Sequence, residues 1–384
     1  MKVCFYLPYE NYPSAILCGY EQLRFLASEG LVELEIVTSS SKVSDYMDAD
    51  AVFFVRSDGI YEVKLAKLLK GLGKSLFYVL DDDLFNVPSY MPCSSRFSQP
   101  DIRENIREMM LTCQFLVTPS KNVAEKYGQL FCSTVIVEEP ALNCHKHVPA
   151  NKCIKIGFAG TVERTHDIDC LLSEPLRIIK EKYKEKISIE FFGVSPSIAN
   201  ELICRCIPRA DSYQEYHKTM RELNWDIGLA PMPNSSFCAC KHYNKFIEYG
   251  AHGIITVGSN CLPYTRIIEN GKNGFLCNDS TDDWVKTLSR LIDSKEYSDE
   301  IRMRVEQQIA EQFSIETVSH EFWVQIENLS ISPRCNCVVV ILALFRYYYW
   351  RIIGRRLQEH GIKLPLIMIK KLYKLIEQCI LKRF

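Results

Sequence analysis

The chain has 384 residues, 47% hydrophobic and 24% charged, the balance of a globular protein with a core of its own, which excludes an intrinsically disordered chain. The length suits two domains of ~100–200 residues each. Net charge is −1, but residues 331–384 hold 6 Arg and 5 Lys against 2 Glu, so this segment carries +9 and the remainder −10, an asymmetry that points to an anionic partner, a membrane surface or a nucleic acid. Seventeen cysteines are scattered without a Cys-x-x-Cys pair. Met1-Lys2 runs straight into an apolar stretch too short for a secretory signal. Reduced, mostly buried cytosolic thiols are therefore expected rather than a zinc site.

From the N-terminus, Val3–Leu7, Leu34–Val37, Ala51–Val55, Ser75–Leu80, Phe115–Val117 and Thr134–Val137 read as strands. Helical patterns lie between them at Tyr20–Glu29, Val63–Leu72 and Asp101–Cys113. Strands alternating with helices imply an α/β fold with a parallel, doubly wound sheet. The polar stretch His145–Asn151 is a linker, and a second α/β unit opens at Ile154–Gly160. A helix near Leu171–Lys184, strands at Ile187–Phe192, Asp226–Ala230 and Ile254–Val257, and helices at Trp284–Ile292, Ser298–Phe313 and Ser314–Asn328 follow. The expected organisation is two Rossmann-like domains, 1–150 and 151–312, a helix in 313–330 and a helical tail in 331–384.

Four places carry chemistry. Gly19 follows the first strand after a polar and aromatic loop, Tyr9–Cys18, suited to a substrate lid; it could let the backbone approach a sugar or phosphate. Asp81-Asp82-Asp83 ends a strand, where parallel sheets bind ligands; three readings stay open, a metal-holding Asp-x-Asp, an acceptor-side role with Asp82, or a solvated turn. Gly160 ends the first strand of the second unit, with Arg164 and His166 in the loop beyond; the alternative is a tight turn capped by Thr165 or Asp167. The fourth is Pro231–Phe275: a strand, a polar loop, then Asn244 as N-cap of a short helix carrying Lys245 and Glu248, with Lys241 just before it. A strand–loop–helix junction aims N–H groups and a dipole at an anion, and both Lys245 and Glu248 can face one cleft. There is no Gly-x-Gly-x-x-Gly and no Walker loop, so nicotinamide and P-loop nucleotide chemistry are poorly supported.

The last stretch resembles family 4 of the glycosyltransferases, enzymes of the two-domain GT-B fold. The resemblance rests on Phe237, Lys241, Asn244, Lys245, Phe246, Glu248, Tyr249 and Gly253, then Pro263, Tyr264, Ile268, Gly271, Asn273 and Gly274. This Phe-x3-Lys-x3-Lys-x2-Glu-Tyr core looks like the bacterial branch that builds cell-surface polysaccharide. The resemblance extends to Gly160 and to His166-Asp167, which match a variant of the phosphate loop, and to an Asp-Asp-x-Leu patch around Asp82. It implies that Glu248 holds the ribose of a nucleotide-sugar, that Lys241, Lys245 and neighbouring amides hold the diphosphate, and that the reaction retains anomeric configuration. The family often has two glutamates with seven residues between them; the residue so placed before Glu248 here is Cys240.

The sequence therefore leads to a glycosyltransferase with Lys245, Lys241 and Asp82 as candidate catalytic residues. Glu248, Asn244, Gly160, Arg164, His166, Gly19 and Tyr264 are the candidate donor-binding residues. Neither a metal nor a cofactor is expected, the nucleotide-sugar being a substrate, and the acceptor is a glycan or lipid-linked glycan. Two alternatives are a nucleotide-sugar epimerase and a non-catalytic subunit of a glycan-assembly complex. In the tail, Val338–Phe345 is far short of the ~20 residues a membrane span needs. Tyr347–Trp350, Arg351, Arg355 and Arg356, and the stripe Ile369, Tyr373, Ile376 and Ile380 beside Lys370, Lys371 and Lys374, suit a headgroup boundary. This favours a peripheral protein on the cytoplasmic face of a membrane, with no nucleic-acid partner; the alternative is a helix pair packed on the body.

Overall fold

A computed structural model describes residues 1–7, 13–148 and 153–329, apart from the side chains of 295–297. The tail 331–384, and the parts of the lid loop and of the linker at 8–12 and 149–152, lie outside the described residues. Two parallel six-stranded sheets make up the protein. In the first, β1 (Lys2–Tyr6), β2 (Glu33–Val37), β3 (Ala51–Val55), β4 (Ser75–Val79), β5 (Phe115–Thr118) and β6 (Ser133–Ile136) are ordered 2-1-3-4-5-6. In the second, β7 (Ile154–Ala159), β8 (Ile187–Phe192), β9 (Arg205–Ile207), β10 (Ile227–Ala230), β11 (Ile255–Ser259) and β12 (Phe275–Cys277) are ordered 12-11-10-7-8-9. The expected α/β architecture of two doubly wound domains is the one observed. The sequence pattern does not mark β9 or β12, because three residues are too few to display a period of two.

Central strands are apolar on both faces because helices cover both. β3 and β4 are buried at every position. Phe53, Phe77 and Phe115 lie opposite one another in register, with ring centroids 4.3 and 4.7 Å apart along the row, so one face of the first sheet is an aromatic ladder. Phe322, from the helix Ile315–Ile326, meets Phe53 edge-on at 6.1 Å. Gln325 of that helix accepts from the Ile136 N–H and donates to its carbonyl. The last described helix thus closes the core of the first sheet, from the far end of the sequence.

Two helix starts differ from expectation. The helix Thr165–Tyr183 begins after a 3₁₀ turn, Val162–Arg164, and Arg164 occupies its cap position, so neither Thr165 nor Asp167 caps it. Asn244 is the first residue of its helix (Asn244–Gly250), not the cap; Tyr243 holds that position, and the Asn244 side chain is used by His242 instead. The helix Tyr213–Leu223, capped by Ser212, escapes the sequence pattern because most of its residues are polar. Ser120 does cap Lys121–Tyr127, accepting from the Val123 N–H at 3.3 Å. The fourteen described cysteines are all free, and half of them are buried. Among the described residues no helix is long and apolar enough to cross a membrane.

Strand order fixes where a ligand can enter. In open parallel sheets the crevice lies beyond the carboxyl ends of the strands where the winding reverses. The first sheet reverses between β1 and β3, and the second between β7 and β10. The segments leaving these strands contain Gly19, Arg56, Gly160 with Arg164, and Lys241.

Candidate active site

Several contacts hold the two domains face to face at those carboxyl edges. Lys241 Nζ lies 2.9 Å from Asp82 Oδ1. Glu138 accepts from Tyr243 Oη at 2.8 Å and faces His242 Nε2 at 3.1 Å. Tyr90 Oη donates to Asp167 at 3.4 Å, and Arg266 reaches Asn122. Side chains also cross over: Met91 of the first domain joins the core of the second, and Cys240 of the second joins the core of the first. Two adjoining cavities open between the domains and along the second sheet.

One cavity, about 200 Å³, is lined by Asp81, Asp82, Glu139, Arg164, Met232, Lys241, His242, Asn244, Lys245, Glu248 and Tyr264. Several of its charges are paired, Asp82 across it with Lys241. Arg56 stands at the end of β3 with a left-handed backbone, φ +44°, a conformation that costs a non-glycine residue free energy and recurs at functional sites. It directs its guanidinium to both Asp81 and Asp82. Burial alone would raise the Asp82 pKa, but Lys241 and Arg56 outweigh it and bring it below the ordinary value. Asp83 is fully buried, held by Tyr127, Lys126 and Asn86. The aspartate triplet therefore splits, two residues toward the cleft and one into structure. Among the described residues no group of three or more His, Cys, Asp or Glu is arranged to hold a metal.

Behind Asp82 the cavity has a second acidic corner. His242 is buried, with Nδ1 2.7 Å from Asn244 Oδ1 and Nε2 facing Glu138. Burial lowers its pKa, yet the Glu138 hydrogen bond and the fields of Glu139 and Glu138 leave it raised. Glu139 is raised from its ordinary 4.5 to about 7, by burial first; His242 opposes this, and Asp81 and Glu248 add to it. A carboxyl poised near neutrality in a cleft is a functional-site signature.

The other cavity, about 160 Å³, is lined by Gly160, Thr161, Phe192, Gly193, Arg209, Ala210, Asp211, Ser212, Tyr213, Tyr216, Lys245 and Glu248, with Pro13 from the first domain. Phe192, Tyr216 and Tyr213 form a stack, neighbouring rings 5.2 and 5.8 Å apart and within 14° and 10° of parallel. Gly193, at φ +77°, lets the chain pass over Gly160, whose carbonyl would lie 2.2 Å from any added Cβ. Lys245 and Glu248 line both cavities and are paired with each other, and Glu248 also accepts from Tyr216 Oη at 3.2 Å.

Of the site residues expected from the sequence, Lys241, Lys245, Glu248, Asn244, Asp82, Arg164 and Tyr264 converge on the acidic cavity, and Gly160 on the aromatic one. Arg164 donates to the Pro231 carbonyl at 2.6 Å and pairs with Asp167. His166 lines neither cavity; it is exposed, 3.0 Å from Cys170 Sγ and edge-on to Tyr90. Gly19 lines neither as well, and its N–H is already bonded to Gln22 Oε1 at 3.0 Å. Sequence reasoning missed Arg56, Glu138, Glu139, His242 and the tyrosine stack. The consecutive glutamates directly after a strand were the one available signal.

The two parallel domains joined at their carboxyl edges are the GT-B fold. The solved structure of HepE from Anabaena, in complex with UDP and glucose, superposes with a TM-score of 0.59 at 11% identity, covering 86% of this chain and all of that one. An epimerase structure from Listeria monocytogenes, a UDP-N-acetylglucosamine 2-epimerase by name, gives 0.55 at 15% identity over 86% of this chain and 98% of its own. A glycosyltransferase from Rickettsia africae gives 0.53 at 12% identity over 85% and 99%. No protein-family model and no curated protein sequence matches the chain.

Proposed function

We propose that the chain is a glycosyltransferase that moves a sugar from a nucleoside diphosphate donor to a glycan or lipid-linked acceptor. The observation that carries this reading is the shared wall of Lys245 and Glu248 between an aromatic cavity and a cavity rich in charge. Stacked tyrosines suit a nucleoside. Lys245, Lys241 and Arg164 offer cations where the departing diphosphate gains charge, which is how such a leaving group is stabilised. Glu248 can accept from ribose hydroxyls at the junction. HepE, with the same fold, was solved with UDP and glucose. These side chains supply the charge without a metal, and the family resemblance implies transfer with retention, in cell-surface polysaccharide synthesis.

The test begins with thermal shift against UDP, GDP, ADP and dTDP. A nucleotide at 100 times its dissociation constant adds ~2.7 kcal/mol of stability, so one of the four should raise the melting temperature by several degrees. Transfer or hydrolysis of the matching sugar nucleotide completes the reading, and no response to any of the four would overturn it. The Glu139–His242 pair in the same cavity favours epimerisation as a second reading. An epimerised donor recovered without acceptor would establish it, whereas binding without turnover points to a subunit role.

The basic segment 331–384 is proposed to rest on an anionic membrane at the cytoplasmic face, bringing the cleft to a lipid-linked acceptor. Full-length chain should sediment with anionic liposomes at low salt, and a chain ending at Asn328 should not. Failure of the full-length chain to sediment would remove the membrane from the proposal.

A further inference from the structure

The acidic cavity holds four carboxylates, and three are committed to cations. Asp81 and Asp82 pair with Arg56, Asp82 also with Lys241, and Glu248 pairs with Lys245. Glu139 enters from the segment just after β6, and among the described residues neither a lysine nor an arginine pairs with it. It is 3% exposed. Its Oε1 accepts from Cys18 Sγ at 3.3 Å and lies 3.9 Å from His242 Nδ1, while Oε2 makes no hydrogen bond to a described residue. Oε2 is not among the side-chain atoms sealed from solvent without a partner, so it opens onto the cavity that Glu139 lines, where a bound molecule can donate to it; displacing water there without replacing its hydrogen bond would cost free energy.

The cavity's charge distribution restricts that partner. Lys241, Lys245 and Arg164 provide for an anion, whereas Glu139 and its neighbours Asp81 and Glu248 repel one. A molecule satisfying both sides is anionic at one end and a neutral hydrogen-bond donor at the other. Sugar hydroxyls joined to a diphosphate fit that description. Cys240 does not contribute, since its side chain is packed in the core of the first domain.

We propose that Glu139 accepts hydrogen bonds from ring hydroxyls of the donor sugar through Oε2, making it the residue that discriminates among sugars. The inference rests on the donor-site reading above. His242 acts as a positioning residue. Held between Glu138 and Asn244, it fixes the side of Glu139 that faces away from the sugar. Sugars differing in the orientation or presence of the hydroxyl at Oε2 are then separated by whether that oxygen is satisfied, the kind of discrimination a polar pocket achieves best.

The experiment is calorimetry on the full chain at pH 8 with three pairs: UDP and UDP-glucose, UDP and UDP-N-acetylglucosamine, GDP and GDP-mannose. Wild type, Glu139→Ala and Glu139→Gln are compared on the pair that wild type binds best. Affinity for the bare nucleotide should not fall in either variant and can rise, since each removes a negative charge that repels the diphosphate. The sugar conjugate should weaken ~10–100-fold in Glu139→Ala, by the loss of a hydrogen bond to a charged group, and less in Glu139→Gln, whose amide oxygen still accepts. An equal loss for nucleotide and conjugate, or no loss for the conjugate, overturns the assignment. A wild-type chain that binds none of these five ligands overturns the donor-site reading instead, a result distinct from either.

Discussion

Lys245→Ala should lower turnover by ~10²–10³-fold, the range for removing one group that stabilises developing charge. Lys245 stands on the first turn of the helix Asn244–Gly250, at the wall common to both cavities. In the structure its ammonium is paired with Glu248 and lies 5.9 Å from the Tyr249 ring. A donor diphosphate placed between the cavities would take over part of that pairing, and the charge it gains as the sugar departs would fall on Lys245. The interaction then strengthens toward the transition state, so the loss appears in kcat more than in KM. Glu248→Gln should behave in the opposite way. It weakens hydrogen bonds present in the ground state as well, raising KM ~10–100-fold with a smaller change in kcat. Were the two residues only a helix-surface pair, their interaction would be worth ~0.2–0.5 kcal/mol and neither variant would show a kinetic signature. Steady-state kinetics of both variants, with folding verified by melting, decides. Wild-type kcat in well-folded Lys245→Ala protein would remove Lys245 from the mechanism.

Glu139→Gln should raise the melting temperature at pH 8 and leave it nearly unchanged at pH 4. The folded carboxyl has its pKa raised from the ordinary 4.5 to about 7, chiefly by burial. The unfolded chain releases this proton near the ordinary value and the folded chain only near 7. Between those pH values the folded state binds more protons than the unfolded state, so stability falls as pH rises through the window. Above pH 7 the cost is complete, on the order of 3 kcal/mol at ~1.4 kcal/mol per pH unit; below 4.5 it vanishes. Glutamine keeps the shape and removes the charge, while giving up some support for the protonated His242. Melting curves at the two pH values check the sign. Equal shifts at both would mean that the carboxyl is not perturbed by burial, and destabilisation confined to pH 8 that the carboxylate is stabilised by its surroundings. A carboxylate kept in place at such a cost is the usual sign that function, rather than stability, determines the residue.

The sequence by itself determined most of the elements, with β9, β12 and the helix Tyr213–Leu223 among the exceptions. Apolar runs such as Ala51–Val55 and Ser75–Val79 are buried on both faces, and that double burial is what makes a parallel strand recognisable from composition. It also placed Lys241, Lys245 and Glu248 together, because they are close along the chain and helical spacing alone puts Lys245 and Glu248 on one side. The tertiary structure alone decided what faces them. Arg56, Glu139 and Asp82 are more than a hundred residues away from that helix in sequence, and only the winding of two sheets brings their strand ends to one crevice. The backbone conformation of Arg56 and the fate of Asn244 were equally beyond sequence reasoning. A left-handed arginine leaves no mark in residue type, and Asn244 gave up the cap because its side chain is engaged by His242, which Glu138 of the neighbouring domain holds in place. The same limit separates Asp82 from Asp83: adjacent and chemically identical, they sit at a bend after β4, one lining a cleft and the other buried in a core.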